Sequence, residues 1–377
     1  TTPGSDLVWN SSSSTAWDTT TTNWFNELTG GSDIFQAGKN VVFADRGGVV
    51  TNVTIASGVT VAPGATFVTA DNTDYAISGA GKITGTNSLV KTGAGTLTLS
   101  TANDYTGATT ISGGVLATPL LANGGSASGI GAASSSSTNL ILDGGALQWV
   151  GNASVSVNRG FTLSPNGGTL DASPPVSASL TLSGTIAFTG SGDRTLGLAG
   201  MDPNPLVMGD HVLSSVIANG SGGATTVQKD GNNGWNLSGT NTYTGGTVVN
   251  AGRLRASSAK AFGTGPVTVA DGAQAYLNVN GAFPNAFLIS GIGVQEMGGS
   301  FGALRLGTAG CTLTNTITLV NDARITALGA GGAGAVLAGQ ITGDASLEFG
   351  NASAATSITN SFPAAANAYV LRSPAAT

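Results

Sequence analysis

Three stretches of this 377-residue chain carry residue types that could do chemistry. The run GGSFG at 298–302 fits Gly-x-Ser-x-Gly and puts Ser300 where a hydrolase nucleophile would stand. That chemistry needs a strand-to-helix elbow with a histidine downstream. His211 is the chain's single histidine; it lies upstream of Ser300, and no helical pattern follows the serine. His211 adjoins Asp210 and lies near Asp202 in MDPNPLVMGDH, and a carboxylate–imidazole pair can move protons. Pro203 and Pro205 mark that stretch as a loop, so a solvated turn is the simpler expectation. Cys311, the one cysteine, opens the alternating run CTLTNTITLV. It reads as a small buried apolar side chain, and a single thiol supports neither a disulfide framework nor a cysteine zinc site.

Polysaccharide-cleaving enzymes line a groove with several carboxylates and a lysine or arginine. Here the acids are scattered, and Asp143, Asp230 and Asp271 each stand directly before a glycine, where turn formation accounts for them. No two carboxylates stand two apart on one strand, so acid–base hydrolysis has no visible seat. The sequence therefore assigns no catalytic, cofactor-binding or metal-binding residue.

Composition narrows the classes further. Charged residues are 8% of the chain and apolar residues 40%, with 59 glycines. The formal charge is −6, from 13 Lys and Arg against 19 Asp and Glu, without any basic cluster, which excludes a nucleic-acid footprint. No apolar run approaches the ~18 residues of a spanning helix. The first residues, TTPGSDLVWN, lack a secretion signal's basic and apolar regions, and the composition suits an exported chain from which one has been removed. Short alternating runs such as TLTLS (96–100), SLTLSGTIAF (179–188) and PVTVADG (266–272) end at Gly, Asn or Asp, which is the strand signature. The chain reads as all-β.

The stretch beginning LVKTGAGTLTLSTANDYTG at Leu89 returns as VQKDGNNGWNLSGTNTYTG at Val227. Lys91 and Lys229, Tyr105 and Tyr243, and Gly107 and Gly245 share one offset of 138 (229 − 91). A fixed offset signals repeats, and turn spacing gives rungs of about 20–25 residues. Stacked ~4.8 Å apart, on the order of 16 rungs would make a rod roughly 75 Å long. Leu, Ile and Val are expected to pile up inside such a solenoid. Outside, Thr and Ser ladders should bond rung to rung, with glycines taking the positive φ of tight corners. One tyrosine per repeat is expected to pack over a rung corner.

These residues resemble the autotransporter-associated β-strand repeat, also called the passenger-associated transport repeat. Its pattern is met by Lys91, Gly93, Gly95, Leu97 and Leu99, then Asn103, Tyr105 and Gly107, then Thr110, Gly114 and Leu116. The second copy supplies Lys229, Gly231, Leu237, Asn241, Tyr243, Gly245, Gly252 and Leu254, and departs at Asn233 and Trp235. The opening, with Trp9, Trp17 and Trp24, resembles the start of such secreted proteins and suits a cap over an open solenoid end. The resemblance implies a right-handed parallel β-helix, a single elongated rod, exported to the cell surface. Its layout would be a cap and first rungs at 1–48, a solenoid at 49–349 with repeat cores at 89–118 and 227–257, and a C-terminal cap or assembly segment at 350–377. That last segment lacks the alternating segments of a membrane barrel, so self-translocation is not implied. A non-enzymatic structural protein is the leading functional expectation. It would build an extracellular fibre by joining copies of itself, head to tail or by strand addition. An adhesin-like passenger binding glycans or surfaces is the alternative, and a polysaccharide-acting enzyme ranks third. No cofactor, nucleic acid or membrane insertion enters any of these readings.

Overall fold

The computed structural model describes residues 6–207, 209–308, 310–327, 335–351, 359 and 360. The segment expected at 350–377 lies outside these, apart from its four described residues. The chain divides into two compact units, Thr1–Thr189 and Gly190–Thr377, each with one repeat copy. Among the described residues the helices are single 3-10 turns, Ser137–Asn139 and Pro205–Val207. Everything else regular is strand, and each unit is a parallel β-helix.

In the first unit one face stacks the strands Asn40–Phe43, Ala65–Val68, Ser88–Lys91, Thr109–Ile111, Leu140–Leu142, Phe161–Leu163 and Ile186–Phe188, all parallel. A second face stacks Asn52–Thr54, Tyr75–Ser78, Thr96–Leu99, Val115–Thr118, Ala146–Trp149 and Gly168–Ala172. The chain returns to its row after 20 residues from Leu89 to Thr109, and after 31 from Thr109 to Leu140. The longer rung carries an excursion at 119–139. In the second unit one face stacks Arg194–Ala199, Thr225–Lys229, Thr247–Val249, Val267–Val269, Phe287–Gly291 and Ile317–Ala327. Its other main face stacks Asp210–Leu213, Gly234–Leu237, Arg253–Ala256, Gln274–Leu277 and Leu304–Leu306.

Alternation decides which side chains enter. Phe43, Val68, Lys91, Ile111, Leu142 and Leu163 form one inner row, fully enclosed apart from Val68 at 1% exposure. Such rows give each apolar side chain like neighbours above and below, which removes its surface from water at about 25 cal/mol per Å². The outer row differs from the expected hydroxyl ladder. In the first unit it reads Val42, Phe67, Val90, Thr110 and Ile141, half-buried by their neighbours in register. A hydroxyl pair joins rungs at Thr318 and Thr342, 3.1 Å apart. β-branched and aromatic residues suit a half-buried pleated surface as well as threonine does, which is why the sequence pattern did not separate them.

At its N-terminal end the first unit adds further pairings to both faces. Strand Asp6–Trp9 pairs parallel with Asn40–Phe43 and antiparallel with Trp24–Asn26, which pairs antiparallel with Gly31–Asp33. Thr15 and Trp17 bond both sides of Thr54, closing the edge of the second face. Trp9, Trp17 and Trp24 plug the core beneath, edge-on to one another at 5.1 and 5.4 Å and against Phe35 and Phe43. Trp9 Nε1 donates to Val50 O at 2.7 Å.

Candidate functional site

The repeat builds the same node in both units. Lys91 and Lys229 enter the inner apolar row, and each is fully buried. The Lys229 ammonium donates to the carbonyls of Asp230, Gly231 and Ala251 at 2.7, 2.8 and 3.1 Å. Lys91 donates to those of Gly93 and Gly113, the latter at 3.3 Å. Burial pulls the Lys91 pKa below its ordinary value, against the opposing pull of Asp71 and Asp74. The turn that ends each strand thus has its carbonyls satisfied from inside the core.

The asparagines of the motif join rungs. Asn103 accepts from Ile83 N at 2.9 Å and donates to Gly129 O at 3.2 Å; Asn241 accepts from Ile217 N at 2.9 Å and donates to Ala261 O at 2.6 Å. Tyr105 and Tyr243 are enclosed, their hydroxyls 2.8 and 2.6 Å from Thr109 and Thr247. Burial raises both phenol pKa values above the usual 10. Ring atoms of the two tyrosines lie 2.7 and 2.9 Å from where a Cβ on Gly131 or Gly263 would stand. Leu97, Leu99 and Leu237 fill the core. The motif glycines are held by close approach: a Cβ on Gly93, Gly107, Gly231 or Gly245 would fall 2.1, 2.2, 2.1 and 2.5 Å from backbone carbonyl oxygens of the preceding rung. Gly231 combines this with the expected corner conformation, at φ of 75°. Residue spacing carries no sign of the close approach.

The residues singled out for chemistry are dispersed. Ser300 sits in an antiparallel hairpin of Gln295–Glu296 with Gly299–Ser300, its hydroxyl donating to Gln295 Oε1 at 3.0 Å. Cys311 is buried in strand Cys311–Leu313, and burial pushes its thiol up to about 12. Asp143 accepts from Ser112 Oγ at 3.2 Å and Asn166 Nδ2 at 2.9 Å, and so ties rungs together. His211 corrects the expected solvated turn: it lies in strand Asp210–Leu213, buried, its ring 5.4 Å from that of Trp235. The prolines do mark a loop, but the strand begins at Asp210, and alternation turns His211 inward.

Burial lowers the His211 pKa from 6.5 to about 4, outweighing the opposite pull of Asp202 and Asp210. Between those values the unfolded chain binds more protons than the folded one, so stability falls on acidification. The contribution is whole above pH 6.5 and lost as pH falls toward 4, on the order of 3 kcal/mol. Denaturant unfolding at pH 7 and pH 4.5 should show a loss smaller by about that amount in His211→Phe. Equal losses in the two proteins would refute the assignment.

One surface concentrates charge in this charge-poor chain. Arg253 bonds Asp210 at 2.8 Å and Glu296 at 3.4 Å, Arg305 bonds Glu296 at 2.9 Å, and Arg255 bonds Asp210 at 3.2 Å. The Arg305 guanidinium lies 4.4 Å from the Tyr276 ring centroid and 4.5 Å from that of Phe301. Arg324 donates to Ser300 O at 2.7 Å. Arg253, Arg305 and Arg324 thus strap the hairpin onto the sheet. At its tip Met297 N donates to Leu206 O at 3.0 Å, and both of these side chains are exposed. The sequence concealed this cluster because its members come from five separate rungs.

Parallel rungs, an enclosed lysine and rung-joining asparagines define a repeat-built β-helix. Residues 89–117 and 227–256 match the family described as passenger-associated-transport-repeat, so the chain carries two copies of this autotransporter-associated repeat. The adhesin BmaC autotransporter of Brucella suis biovar 1 (strain 1330) is 35% identical over 236 residues, covering 62% of this chain and 6% of that protein. The chain therefore spans a small fraction of that relative's length. No solved structure matches it.

Proposed function

We propose that this chain is part of an adhesin-like passenger displayed at the cell surface or secreted, where its β-helix presents side chains to glycans or other surfaces without catalysing a reaction. The similarity to an autotransporter adhesin carries this reading. The arrangement of polar groups agrees with it: the buried lysines, asparagines and tyrosines serve the scaffold, and within the charged cluster Arg255 keeps its side chain partly exposed. Assembly into a fibre, the leading expectation from the sequence, would draw on open strand edges. At the N-terminal end of the first unit one face ends on the three-residue strand Gly31–Asp33, and Thr15 to Trp17 pair with the edge of the other.

The test is saturable adhesion of the purified, labelled chain to cultured cells and to a glycan array, with its mass followed by sedimentation over the same concentrations. Saturable binding by a monomer supports the reading. Absence of saturable binding, together with polymers that grow with concentration, would replace it with the fibre.

A further inference from the structure

The outward row beside the strapped hairpin is a half-buried shelf. Asn236, Arg255, Tyr276 and Arg305 stand in register there, one per rung. The hairpin walls one side, and three arginines are engaged in holding it. Arg255 instead rests on Asp210, the Tyr276 ring at 5.5 Å and the Asn278 amide, and its side chain keeps 31% of its surface exposed. Around it the guanidinium groups of Arg253, Arg255 and Arg305 face two carboxylates, Asp210 and Glu296, so one positive charge is in excess. That local sign opposes the chain's net −6.

Resting on the adhesin reading, we propose that this shelf binds an acidic polysaccharide, with the partly exposed Arg255 receiving a carboxylate or sulfate. A guanidinium presents paired N–H donors that match a carboxylate. Rungs stacked ~4.8 Å apart repeat at a spacing comparable to successive sugars of an extended chain. A strap alone explains the three arginines on the hairpin; it does not explain the fourth.

Binding of the full chain to polygalacturonate, heparin and neutral dextran, measured by biolayer interferometry in low and moderate salt, tests the proposal. Wild type should bind one or both acidic polymers and not dextran, more weakly as salt rises. Arg255→Gln should weaken binding at least tenfold with an unchanged melting temperature. Asn236→Asp, which adds a repelling charge beside Arg255, should also weaken binding. Preference for polygalacturonate identifies carboxylate as the ligand group, and preference for heparin identifies sulfate. Equal affinity of wild type and both variants overturns the proposal, as does failure of wild type to bind either acidic polymer. In the second case saturable adhesion to cells would leave the adhesin reading standing, so the two failures are distinguishable.

Discussion

Replacing Arg159 with methionine should destabilise the first unit by about 4–5 kcal/mol, the largest effect expected of any single side chain here. Arg159 follows strand Val155–Val157 and is almost fully buried. Its Nε donates to Ala122 O at 2.8 Å, and its two amino groups reach the carbonyls of Asn123, Ser126, Gly131 and Ala133 at 2.8 to 3.3 Å. All five acceptors belong to the excursion at 119–139, a long connection without strands of its own. Such loops are uncommon in compact folds because their backbone groups need partners. Here the guanidinium supplies them, and burial pulls its pKa below the ordinary value. Methionine preserves much of the volume and removes every donor, which separates hydrogen bonding from packing. Arg159→Lys should recover only part of the loss, because an ammonium cannot span the fork. Denaturant unfolding gives the magnitude, and hydrogen exchange should show faster exchange confined to 119–139 under native conditions. A midpoint matching wild type would mean that water satisfies those carbonyls equally well.

Arg159 also shows where reading the sequence stops. The inner rows were legible, because alternation with a period of two places Leu97, Leu99 and Leu237 inside whatever the neighbouring rungs are. The repeat was legible too, because a constant offset survives without knowledge of geometry. What could not be read is any bond between rungs. The carbonyls around Arg159 lie 26 to 37 residues away, and Asp210 bonds to a guanidinium 43 residues along the chain. Such pairings depend on how long each rung is, and the successive rungs from Leu89 and Thr109 already differ, at 20 and 31 residues. The shelf at Arg255 was hidden for the same reason. Scattered charges in sequence become neighbours only after the intervening residues are wound into turns. His211 adds a local lesson: prolines bound a loop, but they do not say at which residue the next strand starts.

The second large effect is expected at the lysine of the repeat, where the two copies form an internal comparison. Lys229→Met should cost about 4 kcal/mol and Lys91→Met about 3 kcal/mol, each measured by denaturant unfolding of the unit that contains it. The order follows from geometry. Lys229 reaches three carbonyls with bonds of 2.7 to 3.1 Å, whereas Lys91 reaches two. Methionine packs well against the flanking aliphatic row, so any loss reports the orphaned carbonyls rather than a cavity. Dependence on pH separates this role from an ordinary ion pair. A lysine held by a carboxylate has a raised pKa and loses its contribution as pH rises. Burial lowers the folded pKa of Lys91, so the unfolded chain binds more protons on alkalinisation. Wild type should then gain stability relative to Lys91→Met between pH 7 and pH 10. A relative loss over that range would mean that Asp71 and Asp74, and not the turn carbonyls, hold the ammonium in place.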